Sequence, residues 1–427
     1  MDTLPPSLFI KNRSKLARLL LPSSVVVISS NRSMPRTADQ VFPFRQTSDL
    51  FYLTGIAREG CTLVLYPCER KEKCRQILYI PLTDRRTAMW DGPGITPEEA
   101  KRVSGITDIR YSDSLIKDLR EIIAQSSYIY FGEPLANNSV VPSNELEIRR
   151  ELGSVLEHTE EHTLAPLLTR LRMFKEKEEI AMAQKAIEIT REAFLSVLSG
   201  ICPGMYEYEV AADISHTFLS AGCLDHAFPP IVASGRNSLV LHYISNRDRC
   251  MSGDLLLLDF GADWNYYAAD ISRTIPVNGR FTPRQRQVYD ANIRVLEKSM
   301  RLMTGGKQMK EFNREVGLLW EEEHVKLGLY SMQDLREHSS NEPLWKKYYW
   351  HGTSHSIGID VHDRFDQGTP FSAGMLLSCE PGIYIPEEGF GIRLENDILI
   401  TDDGPVNLSQ SIPIDPEEIE VMMGERG

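Results

Sequence analysis

Residues 255–274 read LLLLDFGADWNYYAADISRT, two runs rich in apolar residues around a short polar turn, with an acid at the inner end of each. An antiparallel hairpin centred on Trp264 and Asn265 is expected, and it sets Asp259 opposite Asp270 because both lie equally far from that centre. A lone Asp at a strand end is ordinarily a turn or cap residue. A second acid in register favours a site instead. Three later stretches extend the pattern: HGTSHSIGIDVHD at 351–363, SCEPGIY at 378–384 and GIRLEND at 391–397. Glu380 ends the apolar run Met375–Cys379, and Glu395 just precedes Asp397–Thr401. A buried acid at either point is costly unless it is paired or metal-bound.

His351, His355 and His362, three of the ten histidines, fall within twelve residues. His351 and His355 have the spacing of a helical zinc motif, but no Glu follows His351, and Gly352 and Gly358 argue against a helix there. The candidate ligand set is Asp259, Asp270, His355, Glu380 and Glu395. Four carboxylates in one pocket raise each other's pKa and repel. Two divalent cations balance that charge and acidify a water held between them. An imidazole among carboxylates suits Mn²⁺, Co²⁺, Fe²⁺ or Zn²⁺, and the oxygen-rich set tilts the expectation to Mn²⁺. The chain reads as a metal-dependent hydrolase.

Composition narrows the class further. At 427 residues, two domains are the default, each able to bury its own core. The net charge of −13, with no Lys/Arg block, argues against a nucleic-acid partner. The seven cysteines include no C-x-x-C pair, which suggests neither a disulfide framework nor a thiolate zinc site and fits a reducing, cytoplasmic setting. No run approaches a membrane span. The start is read as mature protein, although Lys11, Arg13, Lys15 and Arg18 cluster in an acid-free stretch and leave a mitochondrial presequence open.

Residues 1–165 alternate strand-like and helical runs, the pattern of an α/β domain. Strands are expected at Ser24–Ser30, Cys61–Tyr66, Gln76–Ile80 and Tyr128–Phe131, and helical spacing marks Pro97–Val103 and Ser114–Ala124. Residues 166–427 form the catalytic half, of α+β character, with helices at Phe174–Leu198, Glu207–Ala221 and Pro283–Leu302. Glu321–Trp350 reads as a polar, irregular excursion.

These residues together resemble the pita-bread metallopeptidases, and among them the Xaa-Pro aminopeptidase (aminopeptidase P) branch, over almost the whole chain. The stretch FPFRQTSDLFYLTG at 42–55 is similar to the amino-terminal domain of that branch. The resemblance implies a pita-bread catalytic domain and release of the first residue from peptides with proline second. It implies that Asp259 chelates one metal, His355 and Glu380 the other, and that Asp270 and Glu395 bridge both. It places His242, in IVASGRNSLVLHY at 231–243, beside the substrate, and His362 on the scissile carbonyl or its adduct. It puts His351 in the pocket for the residue after the cut. Glu380, with a water or His242, is then the candidate carrier of the proton that the leaving amine needs. Arg393, two residues before Glu395, is expected to orient a ligand carboxylate. Trp90 in AMWDGP is expected in the core or at a subunit contact, and a homodimer or homotetramer follows from the likeness alone. Phe228 stands where many members of the branch have tyrosine, and the segments after His362 and Tyr384 are shorter than in the best-known bacterial form. Xaa-Pro dipeptidase shares the ligands and fold and is the nearest alternative. A non-catalytic binding protein on a pita-bread scaffold is the alternative from another class.

Overall fold

The computed structural model describes residues 4–67, 74–132 and 143–424. Its internal contacts divide the chain into two units, Met1–Leu171 and Arg172–Gly427.

The first unit is built on a six-stranded mixed sheet, in the order Asp108–Tyr111, Cys74–Ile80, Thr62–Pro67, Ser24–Ser29, Tyr128–Phe131, Glu160–Thr163. The inner strands are the β-branched and aromatic runs expected from the sequence. The edge strands DIRY and EEHT were not, because their residues are mostly polar and only partly covered. The acid-free start forms the helix Pro6–Ala17, with Asn12 and Arg13 buried. Arg13 donates to the carbonyls of Leu53 (2.5 Å) and Ser104 (2.8 Å), so this segment is part of the unit's packing. Trp90 does not join the core: it is 75 % exposed on the helix Arg85–Asp91, none of whose residues is buried.

The second unit mixes helices with short antiparallel sheets, an α+β arrangement. Leu255–Phe260 is the central strand of three, between Ile271–Pro276 and Ile231–Ser234. A second three-stranded sheet joins Leu376–Cys379, Asn396–Thr401 and Gly404–Asn407, and Gly382–Ile385 pairs with Phe390–Arg393. The helix Lys177–Gly200 starts at a capping box made by Glu176 and Glu179, and the helix Pro283–Leu302 at one made by Thr282 and Gln285. Their apolar stripes, including Ile187, Phe194, Val288 and Val295, meet Leu256, Phe260, Ile275 and Ile392 in one core.

Two expectations need correction. The hairpin closes one residue later than its expected centre: Trp264 pairs with Tyr267, and Asp259 with Ser272 rather than Asp270. Asn265 and Tyr266 both take positive φ (51° and 72°), as a two-residue turn that matches the strand twist requires. Because the slip moves each partner by two residues, Asp259 and Asp270 still face the same side. The excursion after Glu321 is also more regular than expected. The helix Met309–Lys326 runs into it with Phe312, Val316 and Trp320 buried, and Met332–Glu337 is helical. No helix among the described residues is long and apolar enough to cross a membrane.

Candidate metal centre

Each acid sits where regular backbone stops. Asp259 is the penultimate residue of its strand, and Asp270 immediately precedes the next. Gly261 lets the two ends approach: a Cβ there would lie 1.7 Å from the carbonyl oxygen of Ala269. Glu380 follows the strand Leu376–Cys379, and Glu395 lies between two strands, with its amide donating to Ser272 O at 3.0 Å. His355 comes from an irregular segment held by two reciprocal bonds: its amide donates to Ser378 Oγ, and the Ser378 amide donates to its carbonyl, both at 2.9 Å. The Glu380 amide donates to Thr353 O at 2.9 Å, so the histidine and glutamate segments are laced together.

Ligating atoms of Asp270, His355 and Glu395 lie within 4.8 Å of one another. His355 Nε2 is 3.3 Å from Asp270 Oδ2 and 3.5 Å from Glu380 Oε1. Asp259 joins the group through Arg393, whose Nη2 donates to Asp259 Oδ2 at 2.6 Å. The same guanidinium donates from Nε to Ser272 Oγ (2.9 Å), and that hydroxyl donates to Glu395 Oε2 (2.8 Å). Arg393 therefore touches one carboxylate directly and another through serine.

One guanidinium and one imidazole do not compensate this many acids. Burial and then Asp259 push the Asp270 carboxyl well above its ordinary range; burial and then Asp270 do the same to Glu395. Burial also raises Glu380, opposed by His355 and Arg393. Asp259 Oδ1 and Glu395 Oε1 are buried and accept no hydrogen bond. Raised, crowded carboxylates with unclaimed lone pairs beside an imidazole form a donor set that divalent cations satisfy. The residues present fit the metal the sequence implies.

The remaining predicted residues surround the same cavity, of about 450 Å³, whose lining includes His242, His351, His362, Glu380 and Arg393. The His362 ring lies 4.1 Å, centroid to centroid, from that of His355. Burial, then the neighbouring His355, lowers the His362 pKa, so its ring is neutral near pH 7. Burial, then Arg393, takes His351 down to about 3. His351 Nε2 is 2.8 Å from the hydroxyl of Tyr384, which also accepts from Arg393 Nη1 at 3.0 Å. Phe228, Pro229, Ile231, Leu241, Ile244 and Val361 supply the apolar wall.

Two residues of this centre escaped the sequence reading. Tyr384 is fully buried and stacks on Trp350, with ring centroids 4.8 Å apart. Its signal was the glycines around it: a Cβ on Gly382 would lie 2.8 Å from the Tyr384 hydroxyl, and one on Gly391 would lie 2.6 Å from its ring. Asp397 accepts from the Asp270 amide at 3.2 Å, and burial pushes its carboxyl up to about 8. The sequence marks it only as the start of a strand.

Comparison with known proteins bears on this geometry. The model of metallopeptidase family M24 matches residues 181–402, and that of the aminopeptidase P N-terminal domain matches residues 9–130. The Xaa-Pro aminopeptidase of Escherichia coli (strain K12) is 33% identical over 433 residues, 97% of this chain and 97% of its own. Zn-substituted E. coli aminopeptidase P, solved in complex with product, matches with a TM-score of 0.90 and 31% identity over 100% of both chains. Proline aminopeptidase P II from Yersinia pestis matches with a TM-score of 0.89 and 30% identity, over 98% of this chain and 99% of that one.

Proposed function

The chain belongs to metallopeptidase family M24 and carries an aminopeptidase P N-terminal domain, and from that premise we propose how its residues perform the reaction. It is a metal-dependent hydrolase that releases the N-terminal residue from peptides with proline in second position. The observation that carries this reading is the group of four acids and one histidine at one cavity, two of whose buried oxygens have no hydrogen-bond partner.

In this reading Asp259, Asp270, His355, Glu380 and Glu395 would together hold two divalent ions. When bound, the ions polarise the scissile carbonyl and lower the pKa of water near it. The oxygen-rich set favours Mn²⁺. Arg393 fixes the rotamer of Asp259. Neutral His362 donates a hydrogen bond to the carbonyl oxygen as negative charge grows there. Proline's ring nitrogen leaves only when protonated, and Glu380, with His242, delivers that proton. His351, held by Tyr384, borders the space for proline. Proline has no amide N–H, so an all-carbon wall of Phe228, Pro229, Ile231 and Leu241 accepts its ring without leaving a donor unpaired.

The dipeptidase alternative requires a cation for the substrate's terminal carboxylate. Among the described residues lining the cavity, the permanent cation is Arg393, already engaged by Asp259, Ser272 and Tyr384. That favours substrates that extend beyond proline. A cytoplasmic homodimer or homotetramer completes the reading, with exposed Trp90 as a contact for a second copy.

Release of the first residue from an Xaa-Pro-Xaa tripeptide, compared with cleavage of the matching Xaa-Pro dipeptide in Mn²⁺, tests it. Tripeptide turnover well above dipeptide turnover, abolished in Glu380→Ala, is expected. Preferred cleavage of the dipeptide, or near-normal activity in Glu380→Ala, contradicts it.

A further inference from the structure

His242 is exposed and lies on backbone that belongs to no helix or strand, between the 3₁₀ turn Gly235–Leu239 and Cys250. A catalytic imidazole in such a place is aimed by whatever anchors the chain on either side. The anchor is a glutamate outside the cavity lining. Glu207 opens the helix Glu207–Ser220 and is fully buried. Its Oε1 accepts from the Ser234 amide (2.8 Å) and Asn237 Nδ2 (2.9 Å). Its Oε2 accepts from the Tyr243 hydroxyl (2.7 Å) and the Asp248 amide (2.9 Å). Both oxygens are thereby spent on one segment, at points before and after His242.

Asn237 closes the figure. Its two N–H bonds are shared with the Tyr243 hydroxyl (3.0 Å) and Asp248 Oδ2 (2.8 Å) as well, and Tyr243 donates its own proton to Glu207. Asn246, at a φ of 47°, accepts from the Val232 amide (3.1 Å) and ties the far side of the loop to the strand Ile231–Ser234. A buried carboxylate receiving four donors is strongly held, and a loop pinned one residue beyond His242 leaves that side chain little freedom.

We propose that Glu207 is a positioning residue for His242: through Tyr243 and the amides of Ser234 and Asp248 it aims the imidazole into the substrate cavity. Only a carboxylate meets all four donors, because a glutamine at the same place turns an N–H₂ toward two of them. The inference rests on the proposed role of His242 in moving a proton.

Tyr243→Phe removes one bond to Glu207 without touching the cavity lining, and Glu207→Gln removes two. With Mn²⁺-loaded protein and an Xaa-Pro-Xaa tripeptide, kcat should fall about tenfold in Tyr243→Phe and about a hundredfold in Glu207→Gln, with KM and bound metal unchanged. Amide hydrogen exchange should quicken over residues 240–248 in both. In a His242→Ala background, Tyr243→Phe should cause no further fall in kcat. Wild-type kcat in His242→Ala alone overturns the role of His242 and the inference with it. A fall in His242→Ala but wild-type kcat in Tyr243→Phe overturns the inference only. So does an equal fall from Tyr243→Phe with and without His242, or loss of metal in Tyr243→Phe.

Discussion

Arg393 Nη2 donates to Asp259 Oδ2 at 2.6 Å, from a guanidinium whose other nitrogens are bound to Ser272 and Tyr384. Among the described residues, the one permanent cation lining the cavity is thus spent on a proposed metal ligand. Arg393→Met should therefore destabilise the metal-free protein by about 3–5 kcal/mol, the usual cost of stranding one partner of a buried ion pair. Divalent ions supply a second counter-charge, so the loss should be smaller in Mn²⁺. Urea unfolding with chelator and with Mn²⁺ reads both values; equal losses contradict this.

Gly261 lies where the two acid-bearing strand ends approach each other closely. In Gly261→Ala the new methyl would meet the backbone oxygen of Ala269 at 1.7 Å, and backbone cannot rotate away. Overpacking of this kind costs about 1–3 kcal/mol, and here it also parts Asp259 from Asp270. Lower bound metal together with a lower urea midpoint is expected. Full metal occupancy would show that the hairpin does not set the ligand spacing.

The order of these strands was readable and their register was not. Apolar runs ending in acids disclosed the hairpin, but its turn position depended on Asn265 and Tyr266 both accepting positive φ, which composition does not announce for tyrosine. The face shared by Asp259 and Asp270 survived because a two-residue slip preserves side-chain parity. The helix Met309–Lys326 was hidden by its many charges, although Met309, Phe312, Val316 and Trp320 carry three- and four-residue spacing. The partners of Glu207 and Tyr384 are brought in by tertiary folding, and only the surrounding glycines hinted at the second.

Asp363, next to His362, lies in a buried ion cluster. It pairs with Arg172 and, at 3.2 Å, with Lys175, and its amide donates to Ser356 O at 2.8 Å. Burial alone would raise its carboxyl, but Arg172 and Lys175 hold it below the usual carboxylate range. Asp363→Asn removes the carboxylate that pairs with both Arg172 and Lys175, leaving Asp360 on Arg172 and Glu179 near Lys175, and should cost about 3–5 kcal/mol in urea unfolding. Because His362 is the neighbouring residue, kcat should also fall while bound metal stays constant. A cost within about 0.5 kcal/mol, the range of ordinary surface changes, would contradict this.

His324 reports on pH. It is fully buried, 5.4 Å from the Trp320 ring, with Nδ1 3.1 Å from the Tyr330 hydroxyl, and burial lowers its pKa to about 3, against a smaller opposing effect of Glu323. An unfolded histidine titrates near ~6.5. Between those values the unfolded chain binds a proton that the folded one refuses. The stabilisation is therefore complete above ~6.5 and is lost as pH falls toward 3, at about 1.4 kcal/mol per pH unit. His324→Phe removes this contribution. Its urea-unfolding free energy should drop about 1 kcal/mol less than wild type between pH 6.5 and 5.5. Parallel pH dependences would contradict a neutral buried imidazole.

The most direct measurement is anomalous X-ray scattering from crystals soaked in Mn²⁺. The predicted result is two peaks in the cavity, one against Asp259 and one against His355 and Glu380, with Asp270 and Glu395 between them. A map with no peak among these five residues, or with manganese bound only elsewhere on the chain, would contradict the account.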